Sequence, residues 1–282
     1  MSDLDRDSRQ VLAFGKDGQE KIKKLKVGMV GLGGLGSQVA QQLAYIGVRN
    51  FVLVDPDKVS VENLNRIVGV GPRDLGLYKT VIAEQRIKHV ASSEAVEIEV
   101  ISNDLRKRRA LQSLTSCDVV FGCIDKDGPR LILNELAISC RIPYIDSAFE
   151  IDTKGGRITQ AGGRVVLVVP NGLCLLCCGE IDKKEARNDL ASPSEREFAV
   201  RRGYIAGADV PAPSVISLDG VIASIASTEF LALFTGFRSP IQYSRYDMLS
   251  QILSPLQNKV RADCMHHLYQ EGDWKDIFRY CI

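Results

Sequence analysis

The residues best suited to chemistry begin with Gly31-Leu-Gly33-Gly34-Leu-Gly36, set between an apolar run at 27–30 and a helical pattern carried by Val39, Leu43 and Ile46. A second apolar run, 51–54, ends on Asp55. Glycines after a strand let the backbone approach a phosphate, the next helix N-terminus favours negative charge, and a carboxylate ending the following strand accepts from a ribose hydroxyl. Glycines that merely allow tight strand-to-helix packing are the bland alternative, and they would not require that carboxylate. The pattern specifies a nucleotide and leaves open which one. What separates ATP from NAD is the stretch that follows, Asp55-Pro-Asp57 through Asn63-Leu-Asn65-Arg66, then Gly76-Leu-Tyr-Lys79. Taken singly, Arg66 and Lys79 would read as solvated surface charges, and it is the surrounding motif that gives them a role.

A second constellation pairs Cys174-Leu-Leu-Cys177 with Cys264-Met-His266-His267. Two short knuckles, each able to place two soft or imidazole ligands on one ion, predict a structural tetrahedral zinc site. Its expected ligands are Cys174, Cys177, Cys264 and His267, with Cys178 and His266 as rivals and a set of buried apolar thiols as the alternative to metal. Cys117, Cys123 and Cys140 read as core, and no cysteine lies between Gly179 and Asp263. Arg106-Lys-Arg-Arg109 is a short basic run, read as a solvated helix face rather than a docking site for an acidic partner.

These groups need a scaffold, and 282 residues can supply one: a chain of 31.0 kDa buries roughly 70–75% of its unfolded surface without staples. With 45% hydrophobic and 25% charged residues, the composition excludes disordered, collagen-like and coiled-coil classes. A net charge of +1 gives no electrostatic case for nucleic acid or a membrane surface. The opening MSDLDRDSRQ has no apolar stretch, and the apolar segment 220–237 is interrupted by Glu229 and carries Ser224, Ser227 and Thr228. A buried core helix and a cytoplasmic chain with reduced thiols are expected, with no membrane partner.

Strand-like runs at 27–30, 51–54, 96–101, 118–122 and 142–147 alternate with helical patterns at 79–89, 105–114 and 132–140. That rhythm predicts a doubly wound α/β fold with a mostly parallel, Rossmann-like sheet. Beyond Phe149 the pattern changes. Runs at 157–161 and 165–169 flank Gly162-Gly163 and predict a hairpin turning there. Residues 179–213, polar and broken by Pro193, Pro211 and Pro213, predict a long surface segment. A helix at 215–234 and strands at 241–246 and 251–256 complete a C-terminal antiparallel extension beside the zinc knuckle. One domain over 1–282 is expected, with an N-terminal arm at 1–25, a nucleotide-binding half at 26–150 and the extension at 151–282.

Taken in order, Arg9-Gln10, Asp17-Gly-Gln-Glu20, the glycine loop, the Asp55 to Arg66 stretch, Gly76-x-x-Lys79, Gly122-Cys-Ile-Asp125 and the cysteine pair resemble the ThiF/MoeB family, bacterial relatives of ubiquitin-activating enzymes. The resemblance implies ATP-dependent adenylation of the C-terminal glycine of a ubiquitin-like protein of the ThiS/MoaD β-grasp type. It implies that Asp55 holds the ribose, that Asn63, Arg66 and Lys79 contact the triphosphate, and that Asp125 binds magnesium near the α-phosphate. Asp57 belongs to the same nucleotide motif. Arg9 is implied to reach the neighbouring subunit's site, so a homodimer is expected, serving a sulfurtransferase or a conjugating enzyme. The missing crossover cysteine makes the chain resemble MoeB, which releases an acyl-adenylate, more than relatives that form a thioester. Three rival readings are a relative that adenylates a peptide or tRNA-linked carboxylate, an NAD-dependent oxidoreductase, and a non-catalytic scaffold.

Overall fold

The computed structural model describes residues 6–92, 95–192, 194, 213–262, 264 and 273–282. Its centre is a single eight-stranded sheet in the order β3-β2-β1-β4-β5-β6-β7-β8, where β1 is Lys26–Val30, β2 Asn50–Val54, β3 Glu97–Ile101, β4 Val119–Gly122, β5 Tyr144–Lys154, β6 Arg157–Val168, β7 Tyr243–Asp247 and β8 Ile252–Pro255. The first five strands pair in parallel, and β5 to β8 pair antiparallel. The expected fold class is therefore present, since β1, β2 and β4 are buried along nearly their whole length, as parallel strands covered on both faces must be.

Helices supply that cover. They are α1 (Ser8–Lys24), α2 (Gly34–Ile46), α3 (Lys79–Ala91), α4 (Arg108–Leu114), α5 (Asp127–Cys140), α6 (Leu175–Cys178), α7 (Lys183–Leu190) and α8 (Ile216–Thr235). One core joins α2 and α8 to a sheet face through Val39, Leu43, Ile222, Ala226 and Phe230. The other lies between α4, α5 and the opposite face, around Leu111, Leu133, Leu136 and Tyr144. Although α8 is long and apolar enough to cross a membrane, its Leu218, Ile222, Ala226 and Phe230 are buried in the protein. Gln19, from the Asp17-Gly-Gln-Glu20 match, is buried and donates its amide to the Ile46 carbonyl at 3.0 Å, tying α1 to the C-terminal end of α2.

Two expectations require correction. The hairpin turns at Gly155-Gly156, whose φ angles of +58° and +75° suit a tight two-residue turn, and β6 runs straight through Gly162-Gly163. Those two glycines serve packing: a Cβ on Gly163 would come within 2.6 Å of Ile222, and one on Gly162 within 2.4 Å of the Tyr246 carbonyl. The polar stretch from Gly179 also contains α7, whose N-cap Asp182 accepts from the Lys184 and Glu185 amides. Residues 195–212 and His266 and His267 lie outside the described residues. The basic run is engaged within its own subunit, with Arg106 on Asp104 at 2.9 Å, Arg109 on Glu99 at 3.2 Å and Arg108 over the Phe278 ring.

Candidate active site

Because the strand order reverses between β1 and β4, the carboxyl ends of these two strands open the crevice in which such sheets bind ligands. The glycine loop leaves β1 there, and Asp125 follows β4. Gly31 has φ +86°, its N–H donates to the Val54 carbonyl at 3.0 Å, and a Cβ would fall 2.4 Å from the Cys123 carbonyl. A Cβ on Gly36 would fall closer still, 2.0 Å from the Gly31 carbonyl. Gly33 alone faces open space, at the N-cap of α2, where a phosphate can approach the helix. Packing and phosphate access thus divide the motif between them.

Asp55 is 4% exposed and binds the loop that surrounds it: Oδ2 accepts from the Leu32 N–H at 2.6 Å and Oδ1 from the Asp57 N–H at 2.8 Å. Burial raises its pKa, against the pull of Lys79 and those two amides. Asn63 is buried, and its Oδ1 accepts from the Ser60 N–H at 3.1 Å, closing a 3-10 turn at Val61–Asn63. Lys79, at the start of α3, pairs with Asp57 at 2.7 Å, and the half-buried Arg66 donates to the Glu62 carbonyl and to Asn65 at 3.4 Å. The Ser37 hydroxyl accepts from the Val68 N–H at 3.0 Å, holding the Arg66 loop against α2. Asp125 is exposed, and among the described residues no hydrogen bond or ion pair engages it. Arg9 is likewise exposed on α1, with no partner among the described residues.

Two features escape the sequence. Asp146 on β5, paired in register with Gly122, is fully buried and accepts from Arg130 at 3.1 and 3.2 Å and from the Tyr144 hydroxyl at 2.7 Å. Arg164 lies 3.4 Å from Asp146 and pairs with Glu180, which also takes Tyr243 and Arg245. Burial raises the pKa of Asp146, opposed by Arg130 and the Tyr144 hydroxyl. This network supports the strand ends that carry Asp125. The other feature is Asp219, in the first turn of α8, fully buried against Gly34.

The sulfur atoms of Cys174, Cys177 and Cys264 are buried and mutually within 4.8 Å, with Cys174 3.2 Å from Cys264 and 3.6 Å from Cys177. Asn134 of α5 accepts from the Leu175 N–H at 2.9 Å and fixes the knuckle. Burial raises the Cys174 thiol, whereas the Arg261 N–H and the neighbouring thiols leave Cys177 lowered on balance despite its own burial, so Cys177 is the thiol of this pair favoured to ionise first. Three convergent sulfurs fit zinc, with room in the ligand count for a fourth donor. Cys178 is outside the trio, and burial, then Glu180, pushes its thiol up to about 12.

A glycine loop after β1, the Lys79 and Arg66 cations beyond β2 and a thiol knuckle on this sheet define the class, and the ThiF family model matches residues 7–265. The chain belongs to the ThiF family. It is 34% identical over 148 residues to a sulfur carrier protein adenylyltransferase from Thermus thermophilus, covering 52% of this chain and 54% of that one, so it spans about half the length of that relative. Similarity to the vegetative protein HesA of Trichormus variabilis is lower, 25%, but extends over 85% of this chain and 79% of HesA. The fold is shared with E. coli MccB solved with ATP, at a TM-score of 0.70 and 19% identity, over 92% of this chain and 73% of MccB.

Proposed function

We propose that the protein adenylates a carboxylate with ATP and releases pyrophosphate, and that its substrate is the C-terminal glycine of a ubiquitin-like β-grasp protein. The observation that carries this reading is the convergence of the glycine loop, Asp55, Lys79, Arg66 and Asp125, the last unengaged among the described residues, on the strand ends at the β1/β4 reversal. Attack on the α-phosphorus gains from cations that neutralise the phosphate oxygens and the leaving pyrophosphate, so positioning and electrostatics supply the rate. The incoming carboxylate is already ionised, so no side-chain nucleophile is needed. Magnesium, held by Asp125, would add charge neutralisation at the α-phosphate. Lys79 would exchange Asp57 for phosphate, and Asn63 and Arg66 would hold the chain of phosphates.

The three thiols, with His267 as fourth ligand, would bind a structural zinc. Arg9, exposed and without a partner among the described residues, would complete the partner subunit's site in a homodimer acting in the cytoplasm. An oxidoreductase would leave Arg66, Lys79 and Asp125 without a role. ATP:pyrophosphate exchange driven by a glycine-terminated β-grasp protein tests the reading: Asp125→Ala and Arg66→Ala should each lower it by about 10²–10³ with unchanged thermal unfolding. Full exchange in both variants would refute the assignment.

A further inference from the structure

A carboxylate presses on the glycine loop from the α8 side. Asp219 is 0% exposed, neither of its oxygens has a hydrogen-bond partner among the described residues, and a Cβ on Gly34 would lie 2.3 Å from its Oδ2. Buried carboxylates are ordinarily bonded, because an unpaired one forfeits its hydration without replacement. Besides the charge of Arg66, what compensates it is the positive end of α2, whose first residue is Gly34. That helix end is also where a triphosphate would be received. Two anionic groups therefore compete for one patch of positive potential.

We propose that Asp219 couples nucleotide binding to proton uptake: when the triphosphate settles on the N-terminus of α2, the Asp219 carboxylate takes a proton from solvent. The proposal rests on reading the glycine loop as the ATP site. Among the described residues, two charged or titratable groups face Asp219 from other elements. Arg66 favours the ionised form, and Cys123 at the end of β4 is kept a neutral thiol by burial and by the carboxylates of Asp146 and Asp219. Burial, with Arg66 opposing, pushes the Asp219 carboxyl up to about 6. Phosphate charge raises it further. The bound state then holds more protons than the free one, so affinity falls as pH climbs above about 6, by up to about tenfold per unit.

Titration calorimetry of magnesium and ATP into wild type and Asp219→Asn, from pH 5.5 to 8.5 in buffers of differing ionisation enthalpy, tests this. The nucleotide's own titration is common to both proteins and cancels in the difference. Wild type should take up close to one more proton than the variant near pH 7.5, and the variant should bind about tenfold or more tightly at pH 8 while matching wild type at pH 5.5. Asp219→Ser should behave as Asp219→Asn does, since the charge is what matters. Identical pH profiles would overturn the proposal, as would loss of magnesium-dependent binding in Asp219→Asn, which would make Asp219 a cation ligand. Failure of all three proteins to bind ATP at any pH would refute the ATP-site reading itself, and the coupling with it.

Discussion

Single residues in this protein divide into those that hold the crevice and those left free to act within it. Asp55 and Asn63 spend oxygens on neighbouring backbone N–H groups, whereas Asp125 engages nothing among the described residues. Arg130 and Asp146 belong to the first kind. Both are buried, so Asp146→Ala should destabilise by about 2–4 kcal/mol by leaving Arg130 with Asp127 as its remaining carboxylate and the Tyr144 hydroxyl without its acceptor, while Tyr144→Phe, which removes one hydrogen bond, should cost closer to about 1 kcal/mol; urea unfolding separates the two. Asp219 carries the opposite sign. Its folded-state pKa, about 6, exceeds the ordinary 3.8, so its cost is absent below about pH 4 and grows as pH rises through 6. Asp219→Asn should therefore unfold at higher urea than wild type at pH 7.5, by on the order of 2 kcal/mol, and at the same urea at pH 4. The glycine loop and Asp55 were legible because their pattern is local in sequence. Arg130, Asp146, Arg164 and Glu180 were not, since they meet only through the fold, and Asp219 is hidden in an otherwise apolar helix.

At the level of elements, the alternation of apolar runs and helical patterns led to the right parallel strands, because a strand buried on both faces is apolar throughout. The hairpin was misplaced for a physical reason: two glycine pairs lie within a few residues, and composition alone cannot tell a turn from a close approach. Gly155 and Gly156 have positive φ; Gly163 instead makes room for Ile222. Gly163→Ala should accordingly destabilise by about 1–3 kcal/mol through overpacking, whereas Gly33→Ala, which meets open space and loses only the N-cap preference for glycine, should cost less than about 1 kcal/mol in the same thermal scan. The short α7 went unread because its helix signal is one capping aspartate in a polar, charged stretch, and its support comes from α5, where the Gly128 N–H donates to Asp189 at 2.9 Å. Metal analysis should find about one zinc per chain, and Cys174→Ser should lower thermal stability more than ATP affinity. A metal-free protein with unchanged melting after mild chelation would assign the three sulfurs to core packing.

For the whole molecule, the sheet reversal between β1 and β4 gathers the candidate site at the carboxyl ends of the strands, while Arg9 stands exposed on α1 with no partner among the described residues. If Arg9 serves the neighbouring site, inactive Arg9→Ala and Asp125→Ala proteins should regain activity when allowed to exchange subunits. Random pairing makes half the dimers mixed with one intact site of two, giving about a quarter of wild-type exchange for a two-fold dimer. A mixture that stays dead would confine each Arg9 to its own chain and leave the adenylation chemistry untouched. That chemistry is tested most directly by asking which bond of ATP breaks when the protein, magnesium, ATP and a glycine-terminated β-grasp protein are combined. Cleavage between the α- and β-phosphates is predicted, with pyrophosphate released and an adenylyl group on the partner's C-terminal carboxylate by intact mass. Release of ADP and orthophosphate, or NADH binding with no nucleotide cleavage across a panel of such partners, would contradict it.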